Sequence, residues 1–141
     1  MAVGRRGAIL TALLLDTNVL IASERGEFDL DNLIADNDEP AIAALTIAEL
    51  GVGVESATGR RRTNRRAFVD DLLDALPVIH YDVDVATAHT ALLVAVRRAG
   101  RPRGAHDLII AATALATART VVTSDRSGFD DLPGVAIRAP D

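Results

Sequence analysis

The chain has 141 residues, a length suited to one domain, and 49% of them are hydrophobic, which excludes disorder as the starting assumption. Aromatic residues make up only 3% and there is no cysteine, so the core is aliphatic, and disulfides, thiolate catalysis and cysteine-bound zinc are excluded together. The net charge of −5 does not announce a nucleic-acid binder, and every basic residue is arginine; without lysine the chain cannot be a P-loop NTPase, and it lacks the lysine that receiver domains and most haloacid-dehalogenase-type phosphatases need.

Residues 1–7 are expected to form a flexible extension. Arg5 and Arg6 ahead of an apolar run loosely mimic a signal peptide. That run is short, broken by Thr11, and ends in Asp16 rather than a small-residue cleavage site, so 8–15 is predicted as a buried strand and the protein as cytoplasmic. No apolar stretch reaches the roughly 20 residues of a membrane helix.

A short helix is predicted over 17–25, stopped at Gly26, and a further helix over 28–35. Residues 37–40 read as a turn and 41–45 as a second strand. The segment Thr46-Ile-Ala-Glu49 has the form of a capping box opening a helix to about residue 57. Gly51 and Gly53 fall inside that helix and do not complete a dinucleotide-binding glycine motif. A helix over 60–76 begins with five arginines, Arg60, Arg61, Arg62, Arg65 and Arg66, and ends at Pro77. Residues 78–80 read as a third strand.

The clearest helix is 82–99, with Val85, Ala88, Leu92 and Val96 on one stripe. A loop over 100–104 leads to a helix over 105–118, with Leu108, Ile109, Ala112 and Leu115 on one face. A fourth strand is expected over 120–123, a turn region over 124–133 and an edge strand over 135–137. Strands alternating with helices predict an α/β fold: a mainly parallel sheet of about five strands with helices on both faces, one domain over 1–141.

Four acids fall at one kind of position. Asp16 and Asp125 follow strands, while Glu49 and Asp107 are expected in the first turn of helices. In an open α/β sheet these points share the carboxyl edge, where ligands bind. Each acid taken singly has an ordinary reading: Asp16 as a helix cap, Glu49 in its capping box, Asp107 against a helix dipole, Asp125 in a turn. Together they describe a hard-oxygen site for Mg²⁺ or Mn²⁺, because crowded carboxylates repel unless a cation neutralises them. His80, His89 and His106 are read as structural. Arginines at 60–66 and 97–103 are able to hold a polyanion, although a solvated helix face is the commoner use of such runs.

The motifs resemble those of PIN-domain nucleases. Leu15-Asp16-Thr17-Asn18-Val19-Leu20 is similar to the family's opening motif, and Thr46-Ile-Ala-Glu49-Leu50 to its second. His106 to Ala114 is similar to the third, and Val122-Thr123-Ser124-Asp125 with Phe129 to the fourth. The size resembles VapC, the toxin of bacterial type II toxin–antitoxin pairs. The resemblance implies a Mg²⁺- or Mn²⁺-dependent endoribonuclease that forms a homodimer, cuts structured RNA and is inhibited by a VapB-type antitoxin. Asp16 and Asp107 would be inner metal ligands, with Glu49 and Asp125 acting partly through water. Thr17, Asn18, Thr123 and Ser124 would orient ligands or touch phosphate. The arginine run at 60–66 is outside the shared motif, and its assignment to RNA or antitoxin rests on charge alone. A housekeeping RNA-processing nuclease and a non-catalytic antitoxin-binding module are the alternatives; a short upstream reading frame encoding a DNA-binding antitoxin would favour the toxin.

Overall fold

The computed structural model describes residues 11–27, 29–33 and 38–140. The expected extension 1–7, the first three residues of strand 8–15, and residues 28 and 34–37 of the expected helix and turn lie outside them. The elements are β1 (Thr11–Leu15), α1 (Thr17–Glu24), α2 (Leu30–Leu33), β2 (Asp38–Ala43), α3 (Ala44–Glu55), α4 (Gly59–Ala75), β3 (Val78–Ile79), α5 (Val83–Ala99), α6 (Ala105–Ala116), β4 (Thr120–Val122) and β5 (Ile137–Arg138), with a 3-10 turn at Arg126–Gly128 before β5.

All strand pairings are parallel, and the strand order is β3-β2-β1-β4-β5. From β1 the chain first builds outward through β2 and β3. It then crosses back to lay β4 on the other side of β1. The reversal opens a crevice at the carboxyl ends of β1 and β4, the usual ligand position in such sheets.

The period-two alternation of β1 divides the core. Leu13 and Leu15 face one cluster with Val19, Leu20, Ile42, Leu50, Val54, Val69, Leu72 and Val122. Leu14 faces the other, with Val85, Leu92, Leu108, Ile110, Ala111 and Phe129. Helices α1, α3 and α4 therefore cover one face of the sheet, and α5 and α6 the other.

Several boundaries differ from the sequence reading. Residues 38–40 are strand rather than turn, since Asp38, Glu39 and Pro40 pair with Thr11, Ala12 and Leu13. Pro40 is tolerated because β3 reaches only Ile42 and Ala43, which leaves β2 an edge at that level. Strand 41–45 stops at Ala43, and α3 begins at Ala44. The expected stripe of α5 holds: Val85 and Leu92 are buried, and Ala88 and Val96 pack beside them. The single face expected for 105–118 does not: Leu108, Ile110, Ala111, Ala112, Thr113 and Ala114 are all buried, because α6 is sandwiched between the sheet and α5. The last strand is Ile137–Arg138, starting two residues later and ending one residue later than expected. Among the described residues, no helix is long and apolar enough to cross a membrane.

Candidate active site

Asp16 stands where β1 hands over to α1. Its backbone is extended, with φ −68° and ψ 148°, and its Oδ1 accepts from the Thr17 N–H at 2.8 Å, so the expected cap is present. Its own N–H donates to the Val122 carbonyl at 2.9 Å, locking it to β4. Its Oδ2 accepts from the Thr123 hydroxyl at 2.8 Å. Capping therefore does not exhaust Asp16: the second oxygen reaches across the crevice to the strand end 107 residues away. Each oxygen keeps a lone pair for another partner. Burial pushes the Asp16 carboxyl up to about 6, against the pull of the Thr123 and Thr17 hydrogen bonds, and the neighbouring charges of Asp107 and Glu49 push the same way.

Glu49 comes from α3. The capping-box reading fails here. The N-cap is Ala43, with no side-chain cap, so Thr46 lies inside the helix and Glu49 sits in its second turn. Instead, Glu49 Oε1 accepts from the Thr17 hydroxyl at 2.7 Å, and Oε2 lies 3.2 Å from His106 Nδ1. His106, expected to be structural, thus belongs to this cluster. Its side chain is 62% exposed, on the outer side of the carboxylate.

Asp107 lies in the first turn of α6, as the sequence predicts. Burial raises its pKa, the charges of Asp125 and Glu49 raise it further, and His106 lowers it. Gly128, in the 3-10 turn, packs on this carboxylate: a Cβ there would stand 2.5 Å from Asp107 Oδ2. The sequence reading passed over Gly128, and nothing local marks it, because the close approach comes from another element. The turn is anchored by buried Phe129. It is also tied to the α5–α6 loop, where Arg103 donates to the Asp130 carbonyl and Arg101 pairs with Asp131 at 3.0 Å.

Asp125 is exposed and outermost. Its Oδ1 accepts from the Ser127 hydroxyl at 2.6 Å, and its N–H donates to Thr123 Oγ1 at 3.0 Å. Ser124 is exposed. Asn18 Oδ1 is buried without a hydrogen-bond partner.

The four acids are thus electrostatic neighbours: Asp16 with Asp107 and Glu49, Asp107 with Glu49 and Asp125. Among the described residues, no three His, Asp or Glu side chains close a ready-made metal cage. The donor set still fits a hard divalent cation that keeps several waters. It consists of carboxylates crowded enough that neighbouring charges raise the pKa of Asp16 and of Asp107, and α1 adds a buried Asn18 oxygen that lacks a partner.

The arginine run is largely engaged. Arg62 and Arg66 pair with Glu55 at 2.6 and 2.9 Å. Arg65 turns inward, donating to the Gly53 carbonyl at 2.8 Å. Arg60 and Arg61 are exposed and form no ion pair among the described residues.

A family model described as PIN domain matches residues 13–135. Ribonuclease VapC5 of Mycobacterium tuberculosis is 38% identical over 126 residues, covering 87% of this chain and 89% of that protein. The tRNA(fMet)-specific endonuclease VapC of Salmonella typhimurium is 28% identical over 126 residues, covering 88% and 94%. Among solved structures, the VapBC2 complex of Rickettsia felis bound to a promoter DNA fragment aligns with a TM-score of 0.83 and 25% identity, over 93% of this chain and 100% of that one. VapBC-5 of Mycobacterium tuberculosis aligns with a TM-score of 0.76 and 32% identity, over 92% and 98%.

Proposed function

Since the chain belongs to the PIN-domain family, we propose that it is the ribonuclease of a VapBC-type toxin–antitoxin pair, with Asp16, Glu49, Asp107 and Asp125 as its catalytic, metal-holding residues. The observation that supports the assignment is that acids from four separate segments gather at the β1–β4 crevice, where Asp16 feels the charges of Asp107 and Glu49, and Asp107 those of Glu49 and Asp125. The chain is read as one PIN-like domain. A cytoplasmic place of action, a homodimer and a VapB-type antitoxin belong to the same reading.

Asp16 and Asp107 would hold Mg²⁺ or Mn²⁺ directly, and Glu49 and Asp125 partly through water. Bound there, the cation would lower the pKa of water and offset charge on the phosphate and the leaving 3′ oxygen. Thr17 and Thr123 keep two of the carboxylates aimed, by hydrogen bonds of 2.7 and 2.8 Å. Asn18 offers a further oxygen acceptor, and Ser124 a hydroxyl for phosphate. Hydrolysis with the 3′ oxygen as leaving group yields a 5′-phosphate and a 3′-hydroxyl.

The test is RNA cleavage by the purified protein with Mg²⁺ or Mn²⁺, and mapping of the new ends. Activity that survives excess chelator, or ends carrying a 2′,3′-cyclic phosphate, would overturn the assignment.

Arg60 and Arg61 are proposed to contact RNA backbone or antitoxin, with Arg62, Arg65 and Arg66 as support. Replacing both Arg60 and Arg61 with glutamine is expected to reduce the slope of log affinity for RNA against log salt by about 1 to 2. An unchanged slope would return them to a solvated helix face. A slope lost equally with Arg62→Gln and Arg66→Gln would show that the Glu55 pairs open on binding.

A further inference from the structure

We propose that Thr46 is a positioning residue for Glu49, acting through the hydroxyl of Thr17. The inference rests on the metal-site reading above. Thr46 is fully buried, and its Oγ1 lies 3.0 Å from Thr17 Oγ1, which in turn lies 2.7 Å from Glu49 Oε1.

Each hydroxyl has one proton to give, and a carboxylate only accepts. Thr17 cannot serve both neighbours with a single proton, so it donates to Glu49. The remaining contact is then satisfied only if Thr46 donates to Thr17. The network reads in one direction, from Thr46 to Thr17 to Glu49.

Two consequences follow from this polarity. Accepting a bond from Thr46 makes the Thr17 hydroxyl a stronger donor, as in any hydrogen-bond chain. It also fixes the rotation of that hydroxyl, so its proton stays on Glu49. Without Thr46, the Thr17 hydroxyl still reaches Glu49 but loses the bond that polarises it and fixes its rotation, so Glu49 is held more loosely between Thr17 and the exposed His106.

Thr46 reaches this place because it lies three residues before Glu49 in α3, on the same helix face. The Thr-x-x-Glu spacing that mimics a capping box therefore serves a different end. Thr46 is fully buried, so its effect on the site runs through Thr17 to the geometry of Glu49.

Thr46→Val is nearly isosteric and removes the hydroxyl, whereas Thr46→Ser keeps it. The readouts are Mn²⁺ affinity by electron paramagnetic resonance, and kcat and KM for RNA cleavage. Thr46→Val is expected to weaken Mn²⁺ binding about 10- to 100-fold and to lower kcat with KM for RNA unchanged. Thr46→Ser is expected to stay close to wild type. Melting curves check that each variant is folded, and Thr46→Ala repeats the loss should valine not be tolerated. Wild-type Mn²⁺ affinity in folded Thr46→Val would overturn the role of Thr46 alone, as would a folded Thr46→Ser that binds as poorly as valine. A wild-type protein that binds no Mn²⁺ would overturn the metal-site reading and this inference with it.

Discussion

Asp16→Asn is expected to lower metal-dependent RNA cleavage by at least about 100-fold while making the metal-free protein more stable at pH 7. The two effects have one cause. The Asp16 side chain is buried at the sheet edge, and burial pushes its pKa up from 3.8 to about 6. Between those values the folded protein holds a proton that the unfolded chain has released. Protonated Asp16 therefore contributes stability that is complete below pH 4 and is lost as pH rises through 6. The raised pKa of Asp107 acts in the same direction.

At pH 7 the ionised Asp16 opposes folding by on the order of 1–3 kcal/mol. Asparagine removes that charge and still offers an oxygen to the Thr17 N–H. Thermal melts of both proteins in chelator check this. The gap in Tm should be wide at pH 7 and narrow at pH 5; an Asp16→Asn protein that melts lower at pH 7 would contradict it. Added Mg²⁺ should stabilise the wild type and leave Asp16→Asn unmoved. The cation competes with the proton for the same carboxylate. Cleavage should accordingly decline as pH falls through about 6, and excess Mg²⁺ should partly restore it.

Gly128→Ala is the second large effect, expected to lower kcat about 100-fold with only a small change in stability. A Cβ at this position would meet Asp107 Oδ2 at 2.5 Å, closer than real Cβ atoms approach, and Cγ at 3.0 Å, a tight contact. The Gly128 backbone does not need glycine's left-handed region, so alanine fits the turn itself. The strain falls on Asp107, whose carboxylate has to move by about 1 Å, enough to spoil a ligand. Gly51→Ala is the control. It lies inside α3, meets no atom within 4 Å, and should leave cleavage unchanged. Wild-type kcat in Gly128→Ala would show that Asp107 either tolerates displacement or does not act at the site.

Much of this protein was legible in its residues. The apolar run ending in Asp16, the stripe on α5 and the acid in the first turn of α6 are local patterns. Strand and helix periodicity record which side of a segment is buried, and that follows from backbone geometry alone. The same locality puts all four acids at one edge from the residues alone.

Tertiary structure decided the partnerships. The Thr46-Ile-Ala-Glu49 segment satisfies the pattern of a helix cap, yet α3 starts at Ala44, and both polar side chains turn to Thr17. His106 meets Glu49 from 57 residues away, and Thr123 meets Asp16 from 107. Arg62 and Arg66 are held by Glu55, which no charge count would reveal. Gly128 matters because of an oxygen on another helix. The sequence by itself determined an aliphatic α/β sheet with its acids at the strand ends, because those features depend on neighbours along the chain. Which hydroxyl aims which carboxylate depends on how the switch between β1 and β4 brings distant segments together, and only the folded chain determines that.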